Sequence, residues 1–244
     1  MNQVIKELFE RKSVRAYRED KITLEEKEMI LKAAMQAPTA GNMALYSIIE
    51  IQDQAIKDQL AITCDHQPFI SQAPLVLLFL ADYQKWYDMY EHYYDDVPKL
   101  EESDLILALE DSMIAAQNAV TAAWSLGIGS CYIGDILENF EIHQKLFDLP
   151  KYAIPATLVV FGKPTTQQQE RQKPKRFALE DIVSVNTYHH RTMDETKQMF
   201  MNHTGKNEEQ IENYIQAFAK RKFYSDFRQE MNRSVRKIIE SWMK

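Results

Sequence analysis

Two arginines and a serine near the start of the chain could together bind an anion. Arg11, Ser13 and Arg15 occupy alternate positions in the run RKSVR, at the end of a predicted helix. A guanidinium group matches a phosphate with two parallel hydrogen bonds, and a serine hydroxyl adds a neutral donor. The same pattern is more often a solvated helix end. A second basic cluster is equally ambiguous by itself and comprises Arg171, Lys173, Lys175 and Arg176.

The sequence offers little support for hydrolytic or metal-dependent catalysis. It contains no G-x-S-x-G, H-E-x-x-H, Walker or G-x-G-x-x-G motif. His189 and His190 could bind a metal, but no carboxylate accompanies them at helical spacing, and two exposed histidines are the favoured interpretation. Cys64 and Cys131 are too few for a disulfide framework or a cysteine-rich metal site. We therefore predict neither a metal nor a catalytic side chain.

Composition and charge exclude several other classes of protein. Hydrophobic residues make up 45% of the 244 and charged residues 27%, which is enough for a packed core. A net charge of −7 argues against a chain built to coat nucleic acid. Residues 112–134 carry no charge, but their polar residues favour a buried helix over a membrane span. The charged start predicts no signal peptide, so we expect a cytoplasmic location and no membrane partner.

The elements that would position these residues can be outlined from periodicity and caps. We predict an amphipathic helix at 2–12, a helix opened by the Thr23–Glu26 capping box, and a short helix capped by Asp53. Strands are predicted at 46–51, 75–81 and 154–161, with a long buried helix that ends at Leu126-Gly127. Strands separated by helices indicate an α/β or α+β layered domain.

The remaining segments are polar or charged. Residues 82–111 hold ten acidic and two basic residues interleaved with tyrosine and tryptophan, and we expect a surface excursion. It would be either the mouth of a substrate site or a solvated helix with aromatic anchors. Residues 165–172 have the composition of an exposed loop, followed by an extended arm to Tyr188. The last forty residues are predicted to be helical, with a basic end.

Four segments in order give the chain a family resemblance. The runs are RKSVRAY, APTAGNMALYS, AAQNAVTAAWSLGIGSCYIGDI and KPKRF. Together they resemble the nitroreductase/flavin reductase superfamily, and most of all its NAD(P)H-dependent, oxygen-insensitive nitroreductase and FMN reductase branch. The resemblance covers residues 2 to about 190. It implies an α+β nitroreductase fold, with a central mixed, mostly antiparallel sheet flanked by helices, in an intertwined homodimer with an extended C-terminal arm. Residues 1–190 would form the FMN-binding domain, and residues 191–244 a helical C-terminal extension packed on it.

The resemblance also assigns the residues that would hold FMN between two subunits. Arg11 and Ser13 match the phosphate-binding positions, and Arg15 matches the basic residue near the flavin N1/O2 edge. The loop contributed by the other subunit matches Thr39, Ala40, Gly41 and Asn42, with Thr39-Ala40 where the family often has two serines. Gln67 matches a residue at the pyrimidine edge. The backbone beside N5/O4 matches Tyr132, Ile133 and Gly134, and the basic pair that closes over the phosphate matches Lys173 and Arg176, with Lys175 as the alternative to Arg176.

The implied activity is that of an FMN-dependent NAD(P)H oxidoreductase. By ping-pong hydride transfer, NADPH or NADH would reduce the flavin, and a small aromatic acceptor (a nitroaromatic, a quinone or free flavin) would then reoxidise it. Arg221-Lys222 could bind the extra phosphate of NADPH, or simply form a basic helix face. Two alternatives remain open on the same fold, namely a flavin-binding protein without turnover and a different flavin reaction. A nucleic-acid adaptor would rest only on the basic tail.

Overall fold

The computed structural model describes residues 1–244 and divides them into two compact units. The first comprises Met1–Arg171 with Glu230–Lys244, and the second comprises Gln172–Gln229. These boundaries differ from residue 190, where the sequence analysis divides the chain. The predicted division at residue 190 separates the FMN-binding residues from the C-terminal helices, and it stays a prediction.

A four-stranded sheet forms the centre of the first unit. Its strands are β1 (Tyr46–Glu50), β2 (Leu75–Asp82), β3 (Gly129–Ile133) and β4 (Ala153–Gly162), in the spatial order β1-β2-β4-β3. Every strand pair is antiparallel, and a parallel contact occurs only as an isolated bridge between Ser13 and Ser130. The predicted α+β architecture is confirmed. Strand β3 was not among the predicted strands, and its last residues had been assigned only as backbone beside the flavin.

Twelve helices complete the two units. They are α1 (Gln3–Glu10), α2 (Leu24–Ala34), α3 (Gln54–Thr63), α4 (Phe69–Gln72), α5 (Gln84–Tyr93), α6 (Glu102–Ser125), α7 (Phe140–Leu146), α8 (Thr166–Glu170), α9 (Leu179–Ile182), α10 (Met193–Thr204), α11 (Glu208–Lys222) and α12 (Asp226–Met243). The Thr23–Glu26 capping box and the Asp53 cap are both present. The predicted loop at 165–172 is wrong, because Thr165 accepts a bond from the Gln168 N–H and caps α8. None of the helices combines the length and apolar composition that a membrane crossing requires.

The core of the first unit lies on both faces of the sheet. All residues of β2 and β4 are buried, as expected for central strands covered on two sides. Helix α6 packs through its alanines (Ala115, Ala116, Ala119 and Ala123) against a cluster that includes Ile30 and Ala34 of α2. Small side chains let the two helix backbones approach closely. The returning α12 adds Ile238 and Trp242, and the indole of Trp242 meets the ring of Tyr152 edge-on at 5.3 Å.

The acidic segment 82–111 is only partly a surface feature. It comprises α5, the connection to α6 and the first half of α6. Asp82 and Asp111, its two ends, are buried, with 9% and 3% of their surface exposed, and Tyr87 is buried as well. The expectation of a surface excursion is therefore wrong for these residues, since their acidic or aromatic side chains have partners inside the fold.

Candidate functional site

The basic segment that begins at Arg11 is fixed against the ends of β3 and β4. The Arg11 N–H donates to the Glu7 carbonyl at 2.8 Å and ends α1. The Val14 N–H donates to the Ser130 carbonyl at 2.9 Å, beside the Ser13–Ser130 bridge. A Cβ atom on Gly129 would overlap the Val14 side chain, so only glycine admits this approach. The sheet edge therefore determines where Ser13 and its neighbours lie.

The same segment continues along β4 in an equally close contact. Tyr17 forms a bridge with Pro164, and the Arg18 N–H donates to the Lys163 carbonyl at 2.8 Å. A Cβ atom on Gly162 would overlap the Tyr17 ring. The Tyr17 hydroxyl donates back to the Val14 carbonyl at 3.2 Å, which ties the two ends of the segment together.

Helix α8 holds the segment from the other side, a role that the sequence analysis missed. The Lys12 ammonium donates to the Gln169 carbonyl at 2.5 Å and to the Arg171 carbonyl. The Arg171 guanidinium donates to the Ser13 carbonyl at 2.5 Å. The Arg15 N–H donates to the Gln168 side chain at 3.3 Å. Arg171, predicted only as a member of a basic cluster, thus positions Ser13.

Arg11 presents a donor that lacks a partner in the protein. Its Nη1 atom is buried and forms no hydrogen bond. The guanidinium lies close enough to Tyr132 to oppose the effect of burial, which raises the pKa of that phenol to about 12. Leaving a buried charged donor without an acceptor costs on the order of 1–3 kcal/mol or more. The geometry therefore suits an anion that accepts from Arg11.

Ser13 and Arg15 lie beside Cys131, the residue that precedes Tyr132 in β3. Burial raises the pKa of the Cys131 thiol, and Arg15, Ser13 and Arg11 each partly offset that effect, so all three lie around this thiol. The Arg15 guanidinium also lies 5.7 Å from the centre of the Phe69 ring. The three predicted anion-binding residues are thus brought together at Cys131 and Tyr132, and Arg15 reaches towards α4.

A buried carboxylate organises the predicted loop at 39–42. The Oδ1 atom of Asp111 accepts from the Ala40 N–H at 2.9 Å, while Oδ2 accepts from the Leu45 N–H at 3.0 Å and from the Thr39 hydroxyl. The Thr39 hydroxyl in turn accepts from the Ala44 N–H at 2.7 Å.

These bonds hold the loop in an unusual backbone conformation. Gly41, Asn42 and Ala44 all have positive φ, at 55°, 60° and 49°. Such a conformation is costly for alanine and persists only where the surroundings fix it. Asp111 was missed by the sequence analysis because an acidic residue near others in a helix is usually solvated.

Gln67 is joined to the turn that follows β3. Its Nε2 atom donates to the Cys64 carbonyl and to the Asp135 carboxylate, both at 2.8 Å. Both amide hydrogens are therefore used, and the amide oxygen is left to accept from a ligand. Gly134 begins this turn, which runs to Leu137, and a Cβ atom on Gly134 would meet nothing within 4 Å. Gln67 therefore lies next to the stretch of backbone that was predicted to pass beside the flavin, and the space beside Gly134 is open.

The remaining predicted residues belong to the second unit. The Lys175 ammonium donates to the Asn202 carbonyl at 2.7 Å, and Lys173 and Arg176 lie in the same extended stretch. Arg221 and Lys222 end α11, with their charges 5.4 Å from the Phe218 ring and 5.3 Å from the Phe227 ring. These cation–π contacts are compatible with a plain basic helix face. Both side chains are also exposed, so they remain accessible to a phosphate.

Comparison with known proteins finds relatives that match most of the chain. A model described as the nitroreductase family matches residues 8–163. A protein of Bacillus subtilis strain 168 named FMN reductase [NAD(P)H] is 29% identical, over 98% of this chain and 99% of its own length. The oxygen-insensitive NADPH nitroreductase of Salmonella typhimurium is 30% identical over 77% of this chain and 75% of its own. The solved structure of Bacillus megaterium NfrA1 superposes with a TM-score of 0.83 at 27% identity, covering 97% of this chain and 98% of its own.

Proposed function

We propose that this chain, which belongs to the nitroreductase family, is an FMN-dependent oxidoreductase that takes a hydride from NADPH or NADH. The proposed acceptors are small, flat, electron-poor molecules, namely nitroaromatics, quinones or free flavin. The observation that carries the proposal is the buried, unpartnered Nη1 atom of Arg11, beside Ser13 and Arg15. It is a cationic donor at the position where the family resemblance expects the FMN phosphate.

The residues of the first unit fit FMN by their chemistry. Arg11 and Ser13 would bind the phosphate, since each guanidinium–phosphate contact is a charge-assisted hydrogen bond. Arg15 would lie near the N1/O2 edge, where its charge stabilises the negative reduced flavin. The Gln67 amide oxygen would accept from the pyrimidine N3–H, and the open space at Gly134 leaves room for the ring beside the backbone of Tyr132 and Ile133.

Bound flavin supplies the hydride chemistry, so the protein needs no nucleophile of its own. What the chain contributes is orientation and charge. The buried Cys131 and Cys64 are free thiols whose pKa values burial raises, so both stay protonated and unreactive near neutral pH. A cytoplasmic location is part of the proposal, and two free thiols are compatible with a reducing compartment.

A homodimer is also part of the proposal, with the 39–42 loop reaching the flavin of the other subunit. Its support is the exposed apolar surface on α1 and α6. Val4 and Ile5 of α1 are 57% and 42% exposed, and Ile106 and Met113 of α6 are 55% and 42% exposed. Apolar residues in such number on two helices indicate a surface that a second chain covers. The molar mass in solution, by light scattering after size exclusion, tests it.

For the second unit we propose two roles from the family resemblance. Lys173 and Arg176 would close over the FMN phosphate, and Lys175 is the less suitable candidate because its ammonium already binds the Asn202 carbonyl. Arg221 and Lys222 would bind the extra phosphate of NADPH. Replacing both by glutamine should raise the KM for NADPH about tenfold and leave that for NADH unchanged. An equal effect on both coenzymes would instead support a plain basic surface.

The decisive experiment reduces the purified protein anaerobically, after loading it with FMN. We expect NADPH or NADH to bleach the flavin absorbance, and nitrofurazone or a quinone to restore it. Protein that retains no FMN would contradict the proposal. Bound FMN that neither coenzyme bleaches would instead support the flavin-binding protein without turnover, and bleaching without transfer to any acceptor would favour another flavin reaction on this fold.

A further inference from the structure

Glu138 is a buried carboxyl group that the proposed chemistry leaves unused. Only 6% of its surface is exposed, and its Oε1 atom is buried without a hydrogen-bond partner. It follows directly on the turn Gly134–Leu137, and its N–H donates to the Asp135 carbonyl at 3.0 Å. This bond attaches Glu138 to the turn that borders the open space at Gly134.

The groups that face Glu138 are mainly acidic. Asp135 comes from the same turn, Asp65 from the connection between α3 and α4, and Glu230 from α12. Glu230 is paired with Arg233, which donates to it at 2.8 Å and also pairs with Glu141 of α7. The remaining titratable neighbours are the buried Cys64 thiol, whose pKa Glu138 helps to raise, and His143 of α7, a buried ring that bonds the Ile136 carbonyl and the Thr63 hydroxyl.

Asp135 and Glu138 differ in what they receive from the protein. The Asp135 carboxylate accepts a hydrogen bond from the Gln67 amide at 2.8 Å. Glu138 has no donor at Oε1 and is surrounded by negative charge. Burial, together with Asp135, Asp65 and Glu230, raises the pKa of Glu138 to about 7. Glu138 is therefore a carboxyl group that gains or loses its proton near neutral pH.

We propose that Glu138 is a positioning residue that exchanges its proton near neutral pH, and that losing this proton makes reduction of the bound flavin less favourable. The inference rests on the proposed FMN function and adds its pH regulation. Reduced flavin would carry negative charge at the ring edge that Gln67 and Arg15 are proposed to bind. A second carboxylate beside Asp135 would oppose that charge. Protonated Glu138 would not, so the site would favour reduction at lower pH.

The first experiment measures the proton itself, in the apo-protein. The infrared difference spectrum between about pH 6 and about pH 8.5 should show loss of one protonated carboxyl band in the wild type. Glu138→Gln should lack that band, whereas Glu141→Gln, which removes an exposed carboxylate nearby, should keep it. Asp135→Asn removes the nearest negative charge and should move the titration of Glu138 to lower pH. No band in the wild type, or an unchanged midpoint in Asp135→Asn, would overturn the proposal.

The second experiment measures the flavin potential by dye equilibration over the same pH range. At about pH 8, Glu138→Gln should hold about threefold more reduced flavin than the wild type at the same applied potential, and at about pH 6 the two should agree. Coincident curves at both pH values would overturn the proposal. Riboflavin serves as a second ligand, because it lacks the phosphate that itself titrates near pH 6. Failure of the protein to bind any flavin would refute the proposed function, while the apo-protein titration would still test Glu138.

Discussion

At the scale of single residues, the proposed site combines charges that lack partners with charges that are fully bonded. The buried Nη1 atom of Arg11 has no acceptor, whereas Asp111 accepts three hydrogen bonds. A binding residue must keep its bonding capacity for the ligand, and a positioning residue must use its capacity within the protein. Whether a side chain has an unused donor or acceptor therefore distinguishes binding residues from positioning residues more clearly than its residue type does.

Replacing Arg11 should separate flavin affinity from stability. In Arg11→Ala we expect FMN to bind roughly thirtyfold more weakly, which corresponds to about 2 kcal/mol for a lost charge-assisted bond. Riboflavin affinity should stay unchanged, because riboflavin has no phosphate. The apo-protein should be no less stable than the wild type, since the change removes an unpartnered buried donor. Fluorescence titration and urea unfolding measure these effects, with Arg18→Ala, an exposed arginine paired with Asp20, as the control.

Replacing Asp111 should loosen the 39–44 loop. In Asp111→Asn one carboxylate oxygen becomes an NH2 group, so a backbone donor at Ala40 or Leu45 loses its acceptor. We expect the free energy of unfolding to fall by about 2 kcal/mol and amide exchange to accelerate at Ala40 and Leu45. The control is Glu110→Gln, the exposed neighbour on the same helix. Equal exchange rates in both variants would mean that Asp111 does not hold the loop.

At the scale of elements, the site depends on how closely the 11–18 segment approaches the sheet. Gly129 and Gly162 receive Val14 and Tyr17, and α8 closes the segment through Lys12 and Arg171. Glycine here provides space for a neighbouring side chain, and at neither position does the backbone require positive φ. The chain contains only six glycines, and two of them lie where the anion-binding segment meets the sheet.

Two glycine substitutions form a matched pair that tests this geometry. Gly129→Ala should lower the free energy of unfolding by about 2 kcal/mol, because the added methyl overlaps Val14. Gly134→Ala should change it by less than about 0.5 kcal/mol, since its Cβ meets only open space. The second variant should nevertheless bind FMN more weakly, because the methyl enters the space proposed for the flavin. Calorimetry and flavin titration of both proteins measure this. Full flavin affinity in Gly134→Ala would place the ring elsewhere.

Local signals in the sequence predicted the caps and the central strands, and long-range contacts explain what was missed. The capping box at Thr23 and the apolar run of β2 are recognisable because each depends on neighbours in the chain. Strand β3 was missed because a short stretch with Gly129 and Ser130 has little strand propensity and is stabilised by pairing with β4. Asp111 and Arg171 were missed as positioning residues because their partners lie 66 to 72 and 158 positions away in the chain.

At the scale of the whole molecule, α12 completes the first unit after the chain has passed through the second. Arg233 bonds Glu141 of α7 at 2.7 and 2.9 Å, while Ile238 and Trp242 enter the core. Bonding to Arg233 lowers the pKa of Glu230 to about 2. A carboxyl group with a lowered pKa contributes stability above its unfolded value, near 4.5, and that contribution is lost as the pH falls towards 2.

Removing Arg233 should therefore matter near neutral pH and not in acid. In Arg233→Gln we expect the free energy of unfolding to fall at pH 7, by an amount that the partial exposure of the pair keeps small. The difference from the wild type should shrink steadily below about pH 4.5. Urea unfolding at several pH values measures it, with Lys237→Gln as the control for an exposed pair with Glu240. A difference that persists at about pH 2 would assign the effect to packing rather than charge.

The return of α12 means that the second unit is an insertion whose two ends are both tied to the same folded frame. A cut in the backbone between residues 172 and 229 would not release the C-terminal piece, since Trp242 and Ile238 hold that piece by burial. Such an insertion is free to change its sequence and length without disturbing the frame. If Arg221 and Lys222 bind the coenzyme as proposed, exchanging this one block would change the coenzyme preference and leave the frame intact.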